Sequence, residues 1–252
     1  MNRDTVLSVV DLRKQFVLHS VDGRVVEGLR GVDLDVHLGE HVALAGSSGA
    51  GKSTLLKCIH RTYAPHGGCI RYQTADGPVV DLAQLDDRAV ADLREHEIGY
   101  VSQFLRAEPR RGAIDVVIRS ATRRGLDASA APDAAADALR RLNIAEELWG
   151  TYPTMLSGGE KQRVNIAAGI VSPPRLLLLD EPVSALDPAN RAAALDVIAD
   201  LTGDGTTVIS VFHDLDAMAR LADRVVLMGD GRVVDEGPPD RLLATLEGTA
   251  AR

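Results

Sequence analysis

Apolar and polar positions change period several times along the chain, and each change marks an element. LSVVDLRKQFVL is rich in β-branched residues and predicts a strand, while GVDLDVHL alternates apolar and polar positions as a half-buried strand does. HVALAG is an apolar run that ends in glycine, the pattern of a buried strand entering a loop, and STLLKCIH continues from that loop as a helix. CIRYQT and PVVDL predict two further short strands, so the opening third mixes antiparallel strands with one strand–loop–helix unit. From about Leu105 to Tyr152 the pattern turns helical, and DAAADALRRL consists largely of good helix formers. After Ser157 come a helix, the strand RLLLLD and the helix AALDVIADL, with Asp187 and Pro188 suited to the start of that last helix and Gly203 to its end. TTVISVF and RVVLM are two more strands of the buried type. Strands alternating with helices predict an α/β fold whose parallel sheet is covered on both faces.

Composition narrows the function. With 252 residues and 45% hydrophobic content the chain can bury a sizeable core. No apolar run approaches the roughly 20 residues that cross a bilayer, so work at a membrane would need another chain to supply the span. A net charge of -8 argues against general nucleic-acid binding, and 3% aromatic content leaves little with which to stack single-stranded bases. The two cysteines, Cys58 and Cys69, form no CxxC pattern, and no secretory signal is read at the N-terminus; the expectation is a cytoplasmic protein.

Residues Gly46, Ser47, Ser48, Gly49, Ala50, Gly51, Lys52 and Ser53 fit GxxxxGK[ST] in full. In such a loop the glycines let backbone N–H groups turn inward toward phosphate oxygens, and the following helix adds the positive end of its dipole. Lys52 supplies a mobile charge for the outer phosphates, and the Ser53 hydroxyl suits Mg²⁺, a cation that prefers oxygen ligands. The apolar strand 176–179 ends in Asp180 and Glu181. A carboxylate at a buried strand end is costly unless it meets a cation, so Asp180 is placed to hold Mg²⁺ and Glu181 becomes the general base for an attacking water. His213 follows another buried strand, where it is either a core histidine or a donor to the terminal phosphate; ligands of open α/β sheets gather at strand C-terminal ends, which favours the donor. Gln103, in YVSQF, either completes the Mg²⁺ shell or senses the attacking water, or is an ordinary loop residue.

A second anion site is written into LSGGEKQR. The hydroxyl and backbone amides of Ser157, Gly158 and Gly159 begin a helix, and the alternative is a plain N-cap with two turn glycines. One terminal phosphate is already served by Lys52, Mg²⁺ and His213, so a second sensor makes sense if it faces the nucleotide of another chain.

GSSGAGKST, the glutamine of YVSQF, LSGGEKQR, LLLLDEP, SALD and FHD occur here in the order of ATP-binding-cassette (ABC) ATPases, which the chain resembles over nearly its whole length. The resemblance implies a P-loop NTPase fold, residues 1–252 forming one ABC nucleotide-binding domain. Its parts would be a mostly parallel RecA-like core, an antiparallel β subdomain and a helical subdomain at roughly 104–157. It implies ATP and Mg²⁺ as cofactors, with Ser48 and Thr54 joining the loop residues. It also implies a head-to-tail dimer with nucleotide between the subunits, in which Ser157 and Gly159 of one subunit touch the γ-phosphate of the other and Asp187 reaches across. Phe16, in LRKQF, matches the adenine-stacking aromatic of the family, or is a core phenylalanine on a strand.

FVLHSVDG, SQFLRAEPR, RLNIAEELW, SGGEKQRVNIAAGI and SVFHD further resemble the L-component family of the bacterial carbon–phosphorus lyase system for phosphonate breakdown. That resemblance implies a second ABC subunit as partner, a copy of the chain or a sister K-type protein, together with the lyase core complex. The alternative is the ATPase subunit of a membrane transporter. Both share every nucleotide-binding residue, and the segment Phe104 to Trp149, which faces the coupled partner in this family, is where they would differ. Ala168, in NIAAGI, stands where many ABC ATPases have arginine, a change expected to weaken a local salt bridge and to leave ATP hydrolysis intact.

Overall fold

The computed structural model describes residues 5–18, 23–75, 77–102 and 110–250. The chain runs through β1 (Thr5–Leu18), β2 (Arg24–His37), β3 (His41–Ala45), α1 (Lys52–Ile59), β4 (Gly67–Gln73), β5 (Val79–Asp81), α2 (Asp87–His96) and β6 (Ile98–Val101). It continues through α3 (Ala113–Arg123), α4 (Ala131–Arg141), α5 (Gly158–Ile170), β7 (Leu176–Asp180), α6 (Pro188–Gly203) and β8 (Thr207–Val211). It ends with α7 (Leu215–Leu221), β9 (Arg224–Gly229), β10 (Arg232–Gly237) and α8 (Pro239–Ala250). Two compact units result, Met1–Asp92 with Ile209–Arg252 and Leu93–Val208.

The first unit contains an antiparallel sheet in the order β2-β1-β4-β5. On β2 the predicted alternation is literal: Val32, Leu34 and Val36 are buried, while Asp33 and Asp35 between them are exposed. β1 pairs with β2 along one edge and β4 along the other, with register shifts around Asp11, whose φ is 46°. β3 is buried at all five positions and pairs in parallel with β9, to which β10 adds antiparallel. β8 borders β3 on its other side, and the His41 ring and the Ser210 hydroxyl link the two strands at 2.8 Å. Arg224 joins β9 to the end of β2: it donates to Glu40 at 2.7 Å, to the Asp35 carbonyl at 2.6 Å and to Glu236 at 2.7 Å.

In the second unit β6 and β7 pair in parallel from Ile98 with Leu176 to Val101 with Leu179. The helical stretch foreseen after residue 105 consists, among the described residues, of α3 and α4 with short 3-10 turns at Glu146–Leu148 and Pro153–Met155. α3, α4 and α5 pack on one another. Helix α2 and strand β10 lie outside the elements predicted from the sequence: α2 buries only Val90, and β10 alternates exposed and half-buried positions with none fully buried.

Candidate nucleotide site

β3 delivers the chain into the glycine loop, and α1 leaves it at Lys52. Two glycines are obligatory for steric reasons. Gly46 has φ 136°, and a Cβ there would collide with the Met228 carbonyl; Gly51 has φ 103°, and a Cβ would lie 2.7 Å from the Gly28 carbonyl. Ser47, Ser48 and Gly49 are exposed at the crest of the loop. Ala50 is buried beneath it, its N–H donating to the Ser47 carbonyl at 3.2 Å and its carbonyl accepting from Gly231 at 3.1 Å. Lys52 is 5% exposed, and its ammonium donates to the carbonyls of Gly46 at 2.7 Å and Ser47 at 2.8 Å. The first turn of α1 carries no acidic residue, so nothing on the helix offsets the positive end of its dipole. A wrapped loop, a buried cation and that helix end together fit an anionic phosphate chain.

Phe16 is half-buried on β1 rather than sunk in the core, and its ring meets Tyr63 edge-on at 5.3 Å between centroids. Lys14 lies 5.3 Å from the Phe16 centroid, and Lys57 lies 5.8 Å from that of Tyr63. Gly28 makes room for this pair beside the loop helix, since a Cβ there would stand 2.7 Å from the Phe16 ring and 3.3 Å from the Thr54 methyl. Sequence reasoning missed Tyr63; no motif marks it. His213 is exposed just past β8, whereas His41 is the histidine of the core. Burial pushes His41 down to about 4.

In the second unit β7 is buried along its full length and ends at Asp180, which is 5% exposed. The Tyr100 hydroxyl, from β6, donates to Asp180 Oδ2 at 2.7 Å, a partner the sequence did not reveal. Glu181 has φ 53°, a left-handed backbone that costs a residue with a side chain about 1–3 kcal/mol and persists where surrounding bonds enforce it. A buried oxygen donor at a strand end fits Mg²⁺, which binds through few protein ligands. Of the other two proposed ligands, Ser53 lies in the first turn of α1 and Gln103 lies outside the described residues.

Ser157 caps α5 through a complete capping box: its N–H donates to Glu160 Oε2 at 2.8 Å and its hydroxyl accepts from the Glu160 N–H at 3.3 Å. The bond from the Ser157 N–H holds the Glu160 carboxyl below its ordinary range. Asp187 caps α6, accepting from the Asn190 N–H at 3.1 Å and the Asn190 side-chain amide at 2.6 Å. Arg163, on α5, donates to Asn190 Oδ1 at 3.1 Å, to the Leu142 carbonyl at 3.0 Å and to the Asn143 carbonyl. The second unit therefore links the Ser157 helix to Asp187 through Arg163 and Asn190.

Comparison with known proteins agrees with this chemistry. The family described as ABC transporter matches residues 29–184. The arginine transport ATP-binding protein ArgV of Corynebacterium glutamicum is 36% identical over 227 residues, 86% of this chain and 87% of that protein. The macrolide export ATP-binding/permease protein MacB of Nitrosomonas europaea is 37% identical over 216 residues, which are 86% of this chain and 32% of that protein. Among solved structures, a dimeric post-hydrolysis state of the ATP-binding cassette MJ0796 bound to ADP and Pi is similar with a TM-score of 0.82 and 26% identity, covering 92% of this chain and 98% of that one. The chain belongs to the ABC transporter family and is one of its ATP-binding, ATP-hydrolysing cassettes, with ATP and Mg²⁺ as cofactors.

Proposed function

We propose that the chain is the ATPase subunit of an ABC membrane transporter and works as a head-to-tail pair. The relatives named above are transport proteins, which reverses the order that resemblance to the phosphonate lyase family suggests. Among the described residues no helix is long and apolar enough to cross a membrane, so on this reading the membrane-spanning part lies elsewhere. The segment from Phe104 to Trp149, which contains α3 and α4, is the face offered to that part.

The observation that carries the head-to-tail pair is at Gly158 and Gly159. Both have ordinary backbone angles; a Cβ would meet nothing within 4 Å at Gly158, and at Gly159 the Ala185 carbonyl at 3.4 Å and the Leu186 methyl at 3.8 Å, both ordinary van der Waals distances. The fold of one chain has no need for glycine there, whereas close approach by a second chain's nucleotide does. Ser48, Lys52, Ser53 and Thr54 take the phosphates of ATP, Phe16 receives the adenine, and His213 donates to the terminal phosphate. Ser53, Asp180 and Gln103 would hold Mg²⁺, which when bound would neutralise charge on the phosphates. Ser157, Gly158 and Gly159 close on the phosphate bound by the opposite subunit, Asp187 crosses beside them, and Glu181 takes the proton of the attacking water.

Glu181→Gln is expected to bind ATP, to hydrolyse it at least about 10²-fold more slowly, and to accumulate as a dimer in size-exclusion chromatography with ATP. Turnover at the parental rate would falsify the role of Glu181. The same variant, affinity-purified from membranes with ATP, should bring down a multi-span permease; recovery of the carbon–phosphorus lyase core instead restores the phosphonate reading.

A further inference from the structure

The left-handed backbone of Glu181 is opposed from two sides. A residue with a side chain avoids that region, and the following Pro182 presses its predecessor toward extended angles. Two side chains hold the turn against this. The Ser184 hydroxyl donates to the Glu181 carbonyl at 3.1 Å, and Gln162 Nε2 donates to the Pro182 carbonyl at 3.0 Å. Gln162 lies on α5, five residues after Ser157, and is 2% exposed. The same amide nitrogen reaches the Ser102 carbonyl at 3.2 Å, where Asn165 Nδ2 also donates at 2.6 Å. Because both neighbours of that nitrogen are carbonyls, its orientation is fixed by chemistry: the flipped amide would set oxygen against oxygen twice. Gln162 Oε1 is buried with no partner among the described residues. A buried amide with half its capacity unmet is a poor choice for packing alone.

We infer that Gln162 and Ser184 are positioning residues for Glu181. Together they clamp the carbonyls of Glu181 and Pro182, which flank Pro182, and so hold the general base in its strained conformer, with α5 as the anchor. The inference rests on the general-base reading of Glu181. It gives the helix that begins at Ser157 a mechanical tie to the hydrolytic carboxylate of its own subunit.

Steady-state ATP turnover of the full chain tests this with Gln162→Leu, Ser184→Ala, Glu181→Gln and the double variants. Gln162→Leu keeps volume and removes the donors. It should lower kcat by about 10²-fold, the loss expected for displacing a catalytic group by on the order of 1 Å, with KM for ATP within about threefold. Ser184→Ala, at an exposed position, should lower kcat by about tenfold with KM equally preserved. Neither change should slow the Glu181→Gln background further, because both act through the group already removed. Parental kcat in a folded Gln162→Leu, or additive losses in the Glu181→Gln background, overturns the inference. If Gln162→Leu does not fold, a parental kcat in Ser184→Ala overturns it. A fast Glu181→Gln instead defeats the general-base reading, so the two failures are distinguishable.

Discussion

At Gly159 the chain gives up a side chain for which its own fold has room, and that separates stability from function at a single residue. Gly159 sits in the first turn of α5 with ordinary φ, and a methyl group at that position would find its nearest neighbour at van der Waals distance. Alanine is the better helix former by up to about 1 kcal/mol, so Gly159→Ala should leave the unfolding midpoint in urea equal or raised. On the proposed head-to-tail pairing, the methyl would nevertheless stand where the opposite subunit's nucleotide comes close. ATP turnover should fall by at least about tenfold, and ATP-dependent dimerisation with it, as read by light scattering. A loss of activity that tracks a loss of stability would place the need for glycine inside the monomer. Gly46 is the contrast: its φ and the Met228 carbonyl forbid a side chain outright, so there fold and function cannot be pulled apart.

Helix α5 shows the same division at the scale of an element. Its N-terminus is capped by Ser157, but its last turn holds no basic residue, and Ala168 stands where the family resemblance leads one to expect arginine. The C-terminal carbonyls are met from outside. Arg124, which ends α3, donates to the Gly169 carbonyl at 2.7 Å and the Ser172 carbonyl at 3.2 Å, and Ser120 donates to the Ala168 carbonyl at 2.5 Å. Burial lowers Arg124 to about 10, which leaves it charged at neutral pH. Arg124→Ala should cost about 2–3 kcal/mol in urea unfolding, and Arg124→Lys should recover only part, since one ammonium cannot span carbonyls that a guanidinium fork reaches together. None of this was legible in the sequence, because Arg124 and Ala168 are 44 residues apart and carry no shared pattern. What was legible is local: the alternation on β2, the buried runs of β3, β7 and β8, the caps at Ser157 and Asp187, and the passage from β3 through the glycine loop into α1. Tyr100, Gln162 and Tyr63 were not, since each acts through a tertiary contact and residue type alone does not announce it.

For the molecule as a whole, the strands that carry the phosphate loop and His213 are joined by a group that titrates. His41 opens β3 and meets Ser210 of β8, and burial holds its ring neutral with a pKa of about 4 against an ordinary 6.5. Between those values the unfolded chain takes up a proton that the folded chain refuses. Stability is therefore full above about pH 6.5, falls as pH drops toward 4, and stops changing on this account once the folded ring protonates as well. One refused proton corresponds to about 1.4 kcal/mol per pH unit, or about 2 kcal/mol between pH of about 7 and 5. Carboxylates act lower. Burial opposes the charge on Glu40, yet its bond from Arg224 and the His37 N–H keep it below 4.5, so its contribution is lost only in more acid solution. Urea unfolding followed by far-UV circular dichroism at the two pH values should show the parent losing about 2 kcal/mol. His41→Leu leaves the Ser210 hydroxyl without this partner and should start less stable at neutral pH, but it should lose less than about half as much on acidification. Equal slopes for parent and variant would place the acid sensitivity in other groups and free β3 and β8 from it.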